Sequence, residues 1–201
     1  MMTKQLERHY SDLFQKYGDS VQACQFGSEE SQLFRFKQLI QIADLEKATI
    51  LDLGCGRGDL YDYLCKLNIE VSYTGIDLVG GTVNLAREKY PAARFLKRDL
   101  LSQTLEEKFD YVFLNGVFNN NFGSSPEKND DYMQALLKTA FQYCERGMAF
   151  NFISRYVNFE DEEMAYHDPS RVLRFCIEEL STRVNLMHHY GRCDVAVYVY
   201  R

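Results

Sequence analysis

The chain has 201 residues, of which 46% are apolar and 26% charged, and its formal net charge is −6. This composition is typical of a globular domain and excludes a disordered or low-complexity chain. An acidic surface disfavours nucleic-acid phosphates as partners. The first ten residues are polar and no apolar run approaches the length of a membrane span, so a cytoplasmic protein without membrane contact is predicted.

Cysteine and histidine spacing gives no sign of a metal site. The six cysteines are isolated, without the C-x-x-C spacing of zinc or redox sites, and the four histidines form no H-E-x-x-H pattern. We therefore expect no metal and reduced thiols that pack as small apolar groups. The cysteines are Cys24, Cys55, Cys65, Cys144, Cys176 and Cys193.

Two helices are predicted before the first strand. The first covers residues 3–17 and is broken by Gly18. The second covers residues 28–45, with Ser28 as its N-cap and with Leu33 and Phe36 on its apolar stripe.

From residue 49 onward, apolar runs alternate with helical patterns, as in a parallel sheet covered by helices on both faces. Asp168 and Pro169 are typical of the cap and first position of a further helix. The last two strands should form a hairpin around Gly191, with the final strand antiparallel to the others. Strands are predicted at residues 49–53, 71–76, 94–97, 111–114, 148–153, 184–188 and 194–200, and helices at 59–67, 81–90 and 130–144.

The strongest motif is Ile-Leu-Asp-Leu-Gly-Cys-Gly-Arg-Gly at residues 50–58. Gly54, Gly56 and Gly58 allow the backbone to turn sharply and approach a ligand, and the helix that follows presents unpaired amides. A loop at the carboxyl end of a parallel strand is where doubly wound folds bind ligands. A dinucleotide fingerprint, G-x-G-x-x-G, would need glycine where the chain has Asp59, so a nicotinamide-dependent oxidoreductase is a less favoured alternative.

The G-x-G-x-G spacing after Asp52 resembles motif I of the class I S-adenosylmethionine-dependent methyltransferases. Asp77 ends the second strand, where a carboxylate can accept hydrogen bonds from both ribose hydroxyls. The resemblance implies that Asp99 accepts from the adenine amine, and that residues 115–117 face the methionyl part and the acceptor. It spans about residues 49–154. The cofactor-binding residues that it implies are Asp52, Gly54, Cys55, Gly56, Gly58, Asp77, Leu78, Asp99, Leu100, Asn115 and Gly116.

The resemblance implies a doubly wound, Rossmann-like sheet of seven mostly parallel strands, with an antiparallel last strand and helices on both faces. S-adenosylmethionine is the implied cofactor. Residues 1–45 are expected to form an N-terminal helical lid and residues 46–201 the cofactor-binding domain, together one structural unit. A module that binds the cofactor without catalysis is the main alternative, and the oligomeric state stays open.

The methyl acceptor is not identified, but a small molecule is expected. The chain has no basic face, and the loop after the fourth strand lacks the Asn-Pro-Pro-aromatic tetrapeptide of amino-directed nucleic-acid methyltransferases. Residues 115–129 and 154–168 should lie beside the acceptor, although the second stretch could equally be a solvated acidic loop. Its aromatic and acidic side chains suit a cationic or aromatic molecule. The candidate catalytic residues are His167, Tyr156 and Asn115.

Overall fold

The computed structural model describes residues 2–158, 160–190 and 192–201. Three residues of the sequence predictions lie outside the described residues. They are Met1 in the expected lid, Phe159 in the stretch 154–168 and Gly191 in the hairpin turn. The strands of the described part are β1 (Thr49–Leu53), β2 (Ser72–Asp77), β3 (Arg94–Lys97), β4 (Phe109–Leu114), β5 (Cys144–Ile153), β6 (Val184–Met187) and β7 (Asp194–Tyr200).

These strands form one sheet in the order β3-β2-β1-β4-β5-β7-β6. The pairs β1–β2, β1–β4, β2–β3 and β4–β5 are parallel, whereas β7 is antiparallel to both β5 and β6. The strand order reverses at β1, which places a crevice at the carboxyl ends of β1 and β4. The predicted doubly wound, seven-stranded fold with a reversed last strand is confirmed.

Helices lie on both faces of the sheet. Ser28 caps α2 by accepting from Ser31 N, and Asp168 caps α6 by accepting from Ser170 N, so both predicted N-caps are confirmed. Short 3-10 turns cover Val21–Cys24 and Ile40–Ile42. The helices are α1 (Met2–Tyr17), α2 (Glu29–Leu39), α3 (Asp59–Lys66), α4 (Gly80–Lys89), α5 (Pro126–Gln142) and α6 (Pro169–Glu179).

The core has two layers because successive strand residues point to opposite faces. On one face Val112 packs in a cluster with Leu137 of α5, and α6 contributes to the same cluster. On the other face Phe113 packs with Leu60 of α3, beside α2 and α4. The sheet is therefore buried on both sides, which fixes the positions of the loops at its carboxyl edge.

Some predicted boundaries and faces differ from the structure. Helix α5 begins at Pro126 instead of residue 130, because Ser125 is extended and proline suits the first helical position. Strand β5 begins at Cys144 instead of residue 148. On α2, Phe36 is buried as predicted, but Leu33 is 42% exposed and Gln32 is buried in its place. Gln32 tolerates burial because its amide donates to Asp59 Oδ2 over 3.0 Å.

Three further observations concern the whole described chain. Cys55, Cys144 and Cys176 are buried as expected, whereas Cys65 and Cys193 are exposed, so the packing prediction is wrong for these two. Across the described residues, the helices are all too short or too polar to cross a membrane. The same residues contain no cluster of three or more His, Cys, Asp or Glu side chains suited to a metal ion.

Candidate active site

A cavity of about 140 Å³ lies at the carboxyl ends of β1, β2 and β4. Its floor is formed by the loops that follow these strands, and its cover by α1, the Val21–Cys24 turn and α2. Ten of the eleven predicted cofactor residues line it: Asp52, Gly54, Cys55, Gly56, Asp77, Leu78, Asp99, Leu100, Asn115 and Gly116. The predicted residue that lies elsewhere is Gly58, the N-cap of α3, which has a φ of 82° and faces the rings of Tyr90 and Phe95.

Asp77 joins the ends of β1 and β2. Its Oδ2 accepts from Gly56 N over 2.9 Å, and its Oδ1 accepts from Val79 N over the same distance. Burial raises the pKa of Asp77, while hydrogen bonds from the Val79 and Gly56 amides oppose the shift. Each oxygen keeps a further lone pair, so the carboxylate can accept two hydroxyl groups of a ligand.

Backbone amides of the glycine loop are used within the protein. Gly54 N and Cys55 N both donate to Ile76 O, over 2.8 and 3.1 Å, and Gly56 N donates to Asp77. The loop therefore contributes shape more than free donors to the cavity. Unpaired amides remain in the first turn of α3, where helix geometry leaves them without carbonyl partners.

Glycine is required at two positions of this loop. A Cβ on Gly56 would lie 2.9 Å from Cys24 Sγ, and one on Gly54 would lie 2.8 Å from Val117 Cγ2. Both residues also have positive φ, 52° and 77° respectively, which side chains disfavour. The glycines thus keep the backbone bare where it borders the cavity.

Asp52 is a buried carboxyl on the side of the cavity that α2 and α3 cover. It is 3% exposed, and the Tyr73 hydroxyl donates to its Oδ2. Burial raises the pKa of Asp52 to about 7, although the Tyr73 hydrogen bond opposes the shift. Near neutral pH this carboxyl group is therefore partly protonated.

The turn after β4 depends on a residue that the sequence analysis missed. Asn151 of β5 is buried, accepts from Gly116 N over 2.7 Å and donates to Asn115 Oδ1 over 3.0 Å. Its only sequence signal is a single polar residue inside the apolar run of β5. Asn151 holds Asn115, a predicted catalytic residue, at the edge of the cavity.

Helix α1 covers the cavity through Leu6 and Tyr10. Asn120, in the loop between β4 and α5, donates to Tyr10 Oη over 2.6 Å and to Gln25 Oε1 over 2.7 Å. Gln25 Oε1 also accepts from His9 Nε2 over 3.0 Å. This network ties α1 and the turn after it to the body of the domain, and its residues are separated too widely in sequence to be predicted as neighbours.

A second set of polar contacts holds the cover against α3. Arg57 donates to Asp59 Oδ1 over 2.9 Å and also to Asp19, which follows α1. Lys89 of α4 is 3.1 Å from the same Asp19 carboxylate. The link runs from the glycine loop through Arg57 to the connection between α1 and α2.

The other two predicted catalytic residues do not line this cavity. Tyr156 is 66% exposed. His167 is 2% exposed, and its Nδ1 and Nε2 lie 2.7 Å from Asp130 Oδ1 and 3.1 Å from Phe118 O. It borders a smaller neighbouring cavity that shares Leu6, Val117 and Tyr132 with the main one. Both ring nitrogens lie within hydrogen-bond distance of acceptors in the protein. This geometry suits a histidine that links two parts of the structure.

The two stretches expected beside the acceptor pack against each other, but no described residue of 154–168 lines the main cavity. Asn120 and Met164 form an isolated antiparallel bridge, and Asn121 Nδ2 donates to the carbonyl of Met164 over 3.1 Å. Ser154 pairs with His167 in a second bridge. The stretch 154–168 is therefore held against the loop that follows β4.

Comparison with known proteins agrees with this geometry. The family model described as a methyltransferase domain matches residues 50–147. A Mycobacterium tuberculosis protein named as a methyltransferase is 28% identical over 75% of this chain and 92% of its own length. The malonyl-[acyl-carrier protein] O-methyltransferase of Priestia megaterium is 31% identical, but the match covers 36% of this chain and only 27% of that protein.

Solved structures share the whole fold. The magnesium protoporphyrin IX methyltransferase of Synechocystis, crystallised with S-adenosylhomocysteine, superposes with a TM-score of 0.69 over 99% of both chains at 15% identity. A methyltransferase of Aquifex aeolicus gives 0.63 over 90% of this chain and 96% of its own, at 18% identity. The family match over residues 50–147, together with the fold shared with these structures, supports a class I S-adenosylmethionine-dependent methyltransferase domain in this chain.

Proposed function

We propose that this methyltransferase transfers the methyl group of S-adenosylmethionine to a neutral or cationic small molecule that enters beneath α1. When bound, S-adenosylmethionine supplies a methyl group on a positively charged sulfur, which is already a good leaving group. The protein's contribution is then to align the acceptor and exclude water. The hydrogen-bond acceptors fit the cofactor, because Asp77 can accept two hydroxyls and Asp99 an amine at the ends of adjacent strands.

The observation that carries the small-molecule proposal is the cover over the cavity. Leu6 and Tyr10 of α1 and Phe26 of the following connection line the same cavity as the strand ends. An acceptor atom must enter the space between these residues and the sheet. A small molecule can do so, whereas a base within a folded nucleic acid would have to be extruded first.

The charges around the cavity favour a neutral or cationic acceptor. Four acidic side chains line it: Asp52, which its raised pKa leaves partly protonated near neutral pH, and Asp59, Asp77 and Asp99. The lining arginine, Arg98, donates through Nη1 to the carbonyl of Thr104. An anionic acceptor would meet more like charges than opposite ones, at an energetic cost in a partly desolvated site.

We extend the proposal to the organisation of the chain. Residues 1–45 act as a lid and residues 46–201 as the cofactor-binding domain. Asn115 is the predicted catalytic residue that lines the cavity, and we propose that it contacts the reacting groups there. Its amide is already oriented by Asn151.

The test is methyl transfer from S-adenosylmethionine carrying a radioactive methyl group. The protein is incubated with a cell extract that has been separated into small molecules, nucleic acids and proteins. We expect label to appear in the small-molecule fraction with wild type and to fall at least tenfold with Asp77→Ala. Label in the nucleic-acid or protein fraction would contradict the acceptor class. Cofactor binding without label in any fraction would instead favour a non-catalytic binding module.

A further inference from the structure

Tyr10 lines the cavity, and its hydroxyl can donate one hydrogen bond. Asn120 Nδ2 donates to its oxygen over 2.6 Å, so the hydroxyl proton must point elsewhere. Among the described residues this proton has no acceptor. Burial raises the pKa of Tyr10, and the nearby Cys24 and Asp77 add to the shift, which keeps the phenol neutral and protonated.

The hydrogen bond from Asn120 places the Tyr10 hydroxyl beside the loop that follows β4. Asp77 and Asp99 follow β2 and β3, on one side of β1, whereas β4 lies on the other side. Tyr10 bonds to Asn120, in the loop after β4 that also carries Asn115. A cofactor with its nucleoside at Asp77 and Asp99 therefore extends across β1, and its amino-acid end reaches the loop below Tyr10.

A hydrogen-bond donor at that end would stabilise a bound carboxylate. The amino-acid end of the cofactor carries a carboxylate, while much of the polar lining of the cavity consists of carboxylates that cannot donate when ionised. The amides of Gly54, Cys55 and Gly56 are already paired with protein acceptors. A neutral phenol on α1 can donate a hydrogen bond without adding a charge to the cavity.

We propose that Tyr10 donates a hydrogen bond to the carboxylate of the bound cofactor and so couples the position of α1 to cofactor binding. This inference rests on the cofactor orientation given under the proposed function. It assigns to α1 a direct polar contact with the cofactor, in addition to covering the cavity.

The experiment compares two ligands by calorimetry, S-adenosylhomocysteine and 5′-methylthioadenosine, which has the same nucleoside and sulfur but no amino-acid carboxylate. Wild type, Tyr10→Phe and Tyr17→Phe are titrated with each, using displacement where binding is weak. Tyr17 lies on the same helix and is 41% exposed, so it is the matched control. Thermal unfolding of the ligand-free variants shows that each one folds.

We expect Tyr10→Phe to weaken S-adenosylhomocysteine binding about tenfold or more, as for loss of a hydrogen bond to a charged group, and to leave 5′-methylthioadenosine affinity within about twofold. Tyr17→Phe should bind both ligands as wild type does. Equal weakening of both ligands by Tyr10→Phe would place the contact on the nucleoside and overturn the proposal. Unchanged affinity of Tyr10→Phe for both ligands would show that the Tyr10 hydroxyl does not contact the cofactor. Failure of wild type to bind S-adenosylhomocysteine would contradict the proposed function itself.

Discussion

The hydroxyl of Tyr73 on β2 donates to Oδ2 of Asp52 on β1, and both residues are almost fully buried. This pair lies beneath the glycine loop, on the face of the sheet that α2 and α3 cover. A buried carboxyl has few ways to satisfy its charge, and here a neutral phenol is the partner. The pair therefore makes the stability of the protein sensitive to pH.

Asp52→Asn should stabilise the protein more at alkaline than at acidic pH. Burial raises the pKa of Asp52 from 3.8 to about 7 in the folded state. The native state thus holds this proton more tightly than the unfolded chain, and the resulting stabilisation is present below pH 4 and lost as the pH rises through about 7. The free energy of unfolding of Asp52→Asn relative to wild type should increase by about 2 kcal/mol or more between pH 5 and 8.

The measurement is urea denaturation of both proteins at the two pH values, with the exposed Asp12→Asn as control. Other titrating groups are common to the variants and cancel in the difference. A relative stability of Asp52→Asn that is the same at pH 5 and pH 8 would show that burial does not raise the pKa of Asp52.

Gly56→Ala should be more destabilising than Gly18→Ala. Both glycines have a φ between 50° and 60°, but a Cβ on Gly18 meets no atom within 4 Å, whereas one on Gly56 meets Cys24 Sγ at 2.9 Å. The shared backbone strain should cost about 1–2 kcal/mol, and the added contact about 1–3 kcal/mol more at Gly56. Thermal and urea unfolding measure both. Equal costs at the two positions would mean that Cys24 moves freely away from the loop.

His167→Ala should lower stability without weakening cofactor binding. The buried imidazole links Asp130 of α5 to the Phe118 carbonyl, and removing it deletes both contacts and leaves a buried gap. A loss of about 2–4 kcal/mol is expected. Affinity for S-adenosylhomocysteine should stay within about twofold, because His167 does not line the main cavity.

Tyr156→Ala is the matched comparison for His167→Ala, since this side chain is 66% exposed and should change the free energy of unfolding by about 0.5 kcal/mol or less. If His167→Ala unfolded as wild type does and lost only methyl transfer, the histidine would be a catalytic base.

The sequence was sufficient for the sheet and for one side of the cavity because those signals are local. Strand β1 and the glycines after it are adjacent in the chain, and Asp168 with Pro169 marks a helix start within two residues. Because parallel strands end at the same edge of the sheet, the polar residue at the end of each strand lies at that edge. The residues around Asp77 were predictable for this reason.

The cover of the cavity was not predictable in the same way. Tyr10 and Asn120 are separated by 110 positions and meet only because α1 folds across the carboxyl edge of the sheet. Helix α1 is mostly polar, with Leu6 as its buried residue among those described, so its sequence gave little sign of which side chains face inward. Burial of Gln32 in place of Leu33 likewise depends on a distant partner, Asp59.

Calorimetric titration with S-adenosylhomocysteine, in parallel with NAD, tests the central claim most directly. We predict one site for S-adenosylhomocysteine and none for NAD. Because Asp77 should accept hydrogen bonds from the ribose, Asp77→Ala should weaken binding at least about tenfold, while the exposed Asp12→Ala should bind as wild type does. Binding of NAD without S-adenosylhomocysteine, or unchanged affinity in Asp77→Ala, would contradict the assignment of this cavity to the methyl donor.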